Sequence, residues 1–294
     1  MPRLSSAEDA LKILDARTLG PDDLRRAGLT RHGVAAAVRS GGLLRLRQGR
    51  YATADTHPEL LAAGRLGGTL GCVSLLATLG IFVHTSSAPH LHFERGTTRL
   101  PRRDARVTAH WRTARTPRHA LAADLVEALA QAIRCQPPRH ALATLESAWH
   151  QGFVDEHSVD SVFELLPRRF RPLRDLLDPR SESGTETLVR LMLRSLGCDI
   201  DVQVRIAGVG RVDFVVDGWL IIECDSAQHH SGWDAQRRDR RRDLAAAALG
   251  YTTVRPIAED ILFTPERVLH SLREAISRGP LPLRNSTRIP QRGR

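Results

Sequence analysis

The sequence predicts an α+β chain of several domains, and three observations carry that expectation. At 294 residues it exceeds the ~100–200 residues of a single usual domain. It opens on short amphipathic helices followed by a basic strand pair. It closes on an ordered succession of helix, three strands, helix, strand and helix, which reads as an α/β sandwich with a mixed sheet.

The elements follow in order. Residues 5–17, "SSAEDALKILDAR", have helical apolar spacing, with Ser5 or Ser6 as cap. "LGPDD" breaks the chain, and Pro21 to Ala27 reads as a second short helix. Thr30 can cap a third helix running to Arg39, which Gly41 and Gly42 end. "LLRLRQGRYAT" alternates apolar and basic residues and turns at Gln48–Gly49. Three short helices and a basic hairpin outline a winged helix-turn-helix over residues 1–57.

Residues 58–178 read as a mostly helical middle region. "HPELLAAGRLGGTLGCVSLLATLGI" suggests helices. "HLHFERG" and "ARVTAHWR" look like two strands around the basic turn "TTRLPRRD". "ALAADLVEALAQAIRC" and "RHALATLESAWHQG" are helices parted by Pro137 and Pro138. A last helical stretch is interrupted by Pro167 and Pro172.

"DPRSESGTE" marks the next boundary, and residues 179–280 form the third domain. "SGTETLVRLMLRSLG" is a helix. "DIDVQVRI" and "RVDFVV" are strands, Asp217–Gly218 is a hairpin turn, and "WLIIEC" is a buried strand. "WDAQRRDRRRDLAAAALG" is a long helix, "YTTVRP" a strand and "TPERVLHSLREAIS" a final helix. Residues 281–294 read as a basic, disordered tail.

Composition narrows the partners. The formal net charge is +10, which points to an anionic partner, most often nucleic acid. Lys12 is the only lysine, so arginine carries nearly all of that charge, and part of the basicity reflects an arginine-rich composition. Cys72, Cys135, Cys198 and Cys224 lie far apart with no C-x-x-C pair, so neither a zinc site nor a disulfide framework is expected. The N-terminus has no signal-peptide pattern, and the longest apolar run is shorter than the ~20 residues a bilayer needs. A cytoplasmic chain with no membrane and no small-molecule cofactor is expected. A second copy of the chain is a further candidate partner.

The candidate chemistry sits on acidic residues beside apolar strands. Asp213 lies in the second strand of the hairpin and Glu223 at the end of the third. Counted outward from the turn, the two are roughly paired in depth. Asp225 is two residues after Glu223 and faces the same side if the strand continues. Carboxylates converging at the edge of an apolar sheet repel one another unless a cation neutralises them. Hard oxygen donors suit Mg²⁺ or Mn²⁺, the ions of phosphodiester hydrolysis. His229 or His230 could place or deprotonate a water, and Gln228 could orient it. Glu186 is either a cap, in the Ser183-x-x-Glu186 box, or a member of the metal site. The arginines 237, 238, 240, 241 and 242 read equally as a solvated helix face or as phosphate contacts.

Taken together, "SESGTETLVRLMLRSLG", "RVDFVV", "LIIECDSAQHH" and "RRDRRRDLAAAALGYTTVRP" resemble the very-short-patch-repair-like (Vsr-like) nuclease domains of the PD-(D/E)xK superfamily over about residues 179–278. The resemblance implies a restriction-endonuclease-like fold and Mg²⁺-dependent DNA cleavage. It carries over Asp213, Glu223 and Asp225 as the acidic centre, and His230, Asp239 and Arg242 fall where that pattern has polar residues. Asp225 stands where the superfamily has lysine, Ser226 where related sequences have glycine, and Val212 where the PD pair has proline. "GLTRHGVAAAVRSGGLLRLRQGRYA" resembles the winged-helix domain of AbiEi-type antitoxins over about residues 5–55. It implies DNA contacts from Arg31, His32 and Arg39 on the helix and from Arg45, Arg47 and Arg50 on the wing. Two functions follow: a metal-dependent DNA endonuclease with an N-terminal DNA-binding module, or an AbiEi-like transcriptional regulator or antitoxin whose nuclease fold has lost its chemistry.

Overall fold

The computed structural model describes residues 7–85, 88–97, 100–101, 106–112, 116–117, 119–224 and 232–280. The chain divides into two compact units, Met1–Pro179 and Arg180–Arg294.

The first unit opens with helices α1 (Ala7–Leu14), α2 (Pro21–Arg26) and α3 (Arg31–Arg39) and the hairpin β1 (Leu43–Arg47) and β2 (Arg50–Thr53). Pro21 starts α2, where its missing N–H costs nothing. The Thr30 hydroxyl caps α3 by accepting the Gly33 N–H at 3.1 Å. The hairpin pairs Leu43 with Thr53 and Arg47 with Arg50, and Gly49 supplies a positive φ in the turn. Helix α4 (Pro58–Arg65), strand β3 (Thr69–Leu70) and helix α5 (Cys72–Thr78) come next, then strands β4 (His90–Glu94) and β5 (Thr108–Arg112). Helices α6 (Leu125–Cys135), α7 (Pro138–His150) and α8 (Glu156–Glu164) and a 3₁₀ helix (Arg168–Leu176) complete the unit.

One hydrophobic core runs through these elements. Ala10 and Ile13 of α1, and Leu46 and Ala52 of the hairpin, share it with Leu75, Phe93, Leu129, Leu145 and Val162. Fully burying a side chain of this size is worth roughly 1.5–3 kcal/mol.

In two places this unit departs from what periodicity suggests. Strands β4 and β5 pair in parallel, His90 with Thr108 and His92 with His110, so they are not the two arms of a hairpin. Pro172 lies inside the 3₁₀ helix and does not end it.

The second unit holds helix α9 (Gly184–Ser195), strands β6 (Ile200–Ile206), β7 (Gly210–Val216) and β8 (Leu220–Ile222), helix α10 (Gly232–Ala248), strand β9 (Thr252–Val254), and helices α11 (Ala258–Phe263) and α12 (Pro265–Arg278). The sheet order is β6-β7-β8-β9, antiparallel between the first three strands and parallel between the last two. Asp217 and Gly218 both have positive φ, 49° and 74°, and the Trp219 N–H closes the turn on the Val216 carbonyl at 3.1 Å, so three residues link Val216 to its partner Leu220. Helix α11, "AEDILF", is an addition to the sequence reading. It is a single six-residue stretch, too short for a helical period to stand out.

Candidate active site

The register of the second sheet decides which polar side chains meet. Phe214 pairs with Ile222, so the same register one residue further on sets Asp213 across from Glu223. Directly opposed residues of an antiparallel pair present their side chains on one face. Ile222 pairs with Val254, and the next step brings Glu223 level with Arg255. The Glu223 N–H donates to the Val254 carbonyl at 3.1 Å, which continues the ladder past both strand ends. On the other flank, Val202 pairs with Phe214 and Val204 with Val212, which sets Gln203 against Asp213. Gln203, Asp213, Glu223 and Arg255 therefore form one polar row across four strands whose neighbouring residues are apolar.

Glu186 joins this row from the first turn of α9. Ser183 Oγ caps the helix by accepting the Glu186 N–H at 3.2 Å. Glu186 Oε2 accepts the Glu182 N–H at 2.9 Å and Gln203 Nε2 at 2.9 Å. Glu186 is thus both part of the helix start and part of the site. Gln203 Nε2 also reaches Asp213 Oδ1 at 3.4 Å, and Asp213 Oδ2 accepts the Cys224 N–H at 2.8 Å. Gln203 has a φ of 57°, a left-handed backbone that a non-glycine residue seldom adopts within a strand.

Electrostatics splits the carboxylates into two kinds. Glu223 is clamped: Arg242 Nη2 reaches its Oε1 at 2.6 Å, and Arg255 closes a second ion pair on its Oε2. Arg242 is itself held by the carbonyls of Val209 and Arg211, and Arg255 by Asp243 at 2.7 Å. Burial raises the Glu223 carboxyl, and Arg255 and Arg242 pull it back. Glu186 and Asp213 form no ion pair among the described residues. Burial first, and then the charge of Asp213, push Glu186 up to about 7. Burial also raises Asp213, against the hydrogen bonds from Cys224 and Gln203.

A buried acceptor completes the picture. Gln203 Oε1 is buried and has no hydrogen-bond partner among the described residues. Two buried carboxylates that repel each other and carry no ion pair among the described residues make a hard-donor pair that a divalent cation would satisfy. The site fits Mg²⁺ or Mn²⁺, with Glu186 and Asp213 as the carboxylates free to hold it. Among the described residues no third carboxylate draws as close to this pair as a shared ligand set requires. Glu223 stands beside it with both oxygens already engaged.

The other candidate residues are placed as follows. Asp225, Gln228, His229 and His230 lie outside the described residues. Asp239 is exposed on α10, while Arg242 turns inward to Glu223. In the first unit Arg31, His32 and Arg39 are exposed on α3, and Arg45 is exposed on β1. Arg47 is half-buried against Gly67, and Arg50 Nη1 lies 2.8 Å from His119 Nδ1. Sequence reasoning missed Gln203 and Arg255. The available signals were a lone amide between Val202 and Val204, and an arginine directly after the apolar strand "YTTV".

Comparison with known proteins bears on the second unit most directly. Residues 186–276 match REase_MTES_1575, a restriction-endonuclease-like family. Two Mycobacterium tuberculosis sequences, "Uncharacterized protein MT2308" from strain CDC 1551 / Oshkosh and "Uncharacterized protein Rv2248" from strain ATCC 25618 / H37Rv, are each 29% identical over 274 residues. The alignments cover 85% of this chain and 98% of each relative. The matched span begins at Glu186 and takes in Gln203, Asp213, Glu223, Arg242 and Arg255. The C-terminal unit carries a restriction-endonuclease-like domain, and the polar row lies wholly inside it.

Proposed function

We propose that the C-terminal domain hydrolyses phosphodiester bonds of DNA with a divalent cation, Mg²⁺ or Mn²⁺, and that the N-terminal helices and hairpin act as a DNA-binding winged helix. The observation that carries the proposal is the Glu186–Asp213 pair, two carboxylates raised by burial and sharing one amide, with a buried unpartnered oxygen at Gln203. A bound divalent ion supplies Lewis-acid stabilisation of the phosphate oxygens and a more acidic water. The chain's own residues do the rest. Gln203 holds the two carboxylates at a fixed separation. Arg242 and Arg255 fix Glu223 in one orientation and neutralise it, so that Asp213 is spared a second full charge. His229 or His230 would take the proton of the attacking water, and Gln228 would orient it. Asp225 stands where related nucleases use lysine, which transfers more of the water-activating task to those histidines.

One observation favours a second reading, in which the chain is an AbiEi-like transcriptional regulator or antitoxin with a degenerate nuclease fold. Glu223 is occupied by two arginines, a stable arrangement that needs no metal. Incubation of the purified chain with plasmid DNA in Mg²⁺ or Mn²⁺, with EDTA as control, separates the two. Metal-dependent nicking that Asp213→Ala and Glu186→Ala abolish supports the enzyme. Absence of nicking with retained DNA binding supports the regulator.

A further inference from the structure

Cysteine spacing gives no hint of a metal motif, yet folding of the first unit gathers two of the four cysteines. Cys72 is the first residue of α5 and Cys135 the last of α6. His90 opens β4, and His110 sits in the middle of β5. One ligand atom from each of the four residues lies within 4.8 Å of all the others. The expectation of no zinc site rested on spacing along the chain, whereas elements of two helices and two strands bring these donors together in space.

The geometry points to a zinc site formed by Cys72, His90, His110 and Cys135. Two thiolates and two imidazoles are a soft, four-donor set of the kind that closes a tetrahedral structural zinc centre. His90 Nδ1 and His110 Nε2 face each other at 3.1 Å, and Cys135 Sγ lies 3.9 Å from the same His110 nitrogen. These two separations are close to the edge of a tetrahedron whose centre would be ~2.0–2.3 Å from each ligand atom, and the other ligand atoms lie within 4.8 Å.

The backbone holds the donors in place. Ser74 Oγ accepts the His90 N–H at 2.8 Å, and the Gly71 N–H donates to the His90 carbonyl at 3.2 Å, so the start of α5 and the start of β4 are tied together next to both ligands. His90 pairs with Thr108, and His110 lies two positions beyond Thr108, so both imidazoles leave the same face of the sheet. Cys72 has a φ of 50°, a left-handed backbone at a non-glycine residue.

The role is structural. All four donors come from the protein, which leaves no open position for substrate. The ion would fasten α5 and α6 to the parallel pair β4 and β5, strands of five residues each. Such a staple matters where little of the ladder can hold the sheet by itself.

Metal analysis of the full-length chain, purified with zinc in the growth medium and dialysed against buffer containing Mg²⁺, tests the site. One tightly held zinc per chain is expected. Cys72→Ser, Cys135→Ser and His110→Ala should each lose it, His110→Cys should keep it, and Asp213→Ala should keep it. Replacement by Co²⁺ should give the thiolate charge-transfer and tetrahedral d–d absorption of a Cys₂His₂ centre. The cobalt spectrum of the wild-type chain decides the matter even if the serine variants do not fold. Three results would overturn the site: wild-type protein that is folded and free of zinc, zinc retained in the Cys72→Ser, Cys135→Ser double variant, or cobalt bound without thiolate bands.

Discussion

Glu186 and Asp213 share a single amide: Gln203 Nε2 lies 2.9 Å from Glu186 Oε2 and 3.4 Å from Asp213 Oδ1. The shared amide and the Glu182 and Cys224 N–H groups are all neutral donors and do not cancel two buried charges, so the site favours a proton or a cation between them. That imbalance makes the site's chemistry measurable in stability as well as in activity.

The first prediction concerns the proton. Glu186 is raised from 4.5 to about 7 in the fold. The native state therefore binds more protons than the unfolded chain between those values, and stability falls as pH rises through that window. At about 1.4 kcal/mol per pKa unit, the ionised Glu186 costs on the order of 3 kcal/mol above pH 7. Glu186→Gln should remove that cost. In EDTA the variant should be more stable than wild type at pH 8 and equal to it near pH 4, as read by denaturant unfolding of the C-terminal transition. Equal stability at pH 8 would mean that the carboxylate is not strained.

The second concerns the cation. Mn²⁺ competes with the same proton, so its stabilising effect should be larger at pH 8 than at pH 5.5. A thermal-shift titration should show a rise in melting temperature for the wild type and none for the Glu186→Gln, Asp213→Asn double variant. A shift that survives in the double variant would place the ion elsewhere. The Cys72→Ser chain, if folded, should respond to Mn²⁺ as wild type does, because sulfur donors do not serve that ion.

The third concerns the arginine clamp. Removing Arg255 leaves the buried Glu223 charge compensated by Arg242 alone. Arg255→Ala should therefore destabilise the domain by about 2 kcal/mol, less than a fully buried pair would because the arginine is 22% exposed. Adding Glu223→Gln should recover part of the loss, and a double-mutant cycle on unfolding free energies measures how much. Additive losses would show that Arg255 acts through Asp243 alone.

How much of this was legible in the sequence depends on the kind of signal. Local signals were readable: the Thr30 cap, the Gln48–Gly49 turn and the Asp217–Gly218 turn each rest on a side chain or a positive φ within a few residues. The rough depth pairing of Asp213 with Glu223 was readable from the position of the turn, but the exact register was not: Val216 pairs with Leu220 across three residues, whereas a two-residue turn would set Asp213 against Ile222. Gln203 was not, since its part in the site comes from a left-handed residue in β6 that no propensity announces. Arg255 needed the parallel pairing of β9 with β8, a long-range fact. The Cys72–Cys135 convergence was the least visible, because its four donors come from elements spread over much of the first unit.

The last prediction concerns DNA. Arg31, Arg39 and Arg45 are exposed, whereas Arg47 and Arg50 are half-buried, and Arg50 contacts His119. The exposed three are the better candidates for phosphate contact, and Arg47 and Arg50 for support of the hairpin. Full-length protein is the right reagent, because α1 and the hairpin share their core with α5 to α8. Each phosphate contact contributes roughly 0.9 to the slope of log affinity against log salt. Replacing Arg31, Arg39 and Arg45 together by alanine should lower that slope by about 2–3 and weaken binding most at low salt, as read by fluorescence anisotropy on a duplex of mixed sequence. Arg50→Ala should leave the slope nearly unchanged and instead lower the melting temperature. If the triple variant keeps the wild-type slope, these helices and this hairpin do not hold DNA, and the basic charge of the chain serves another face.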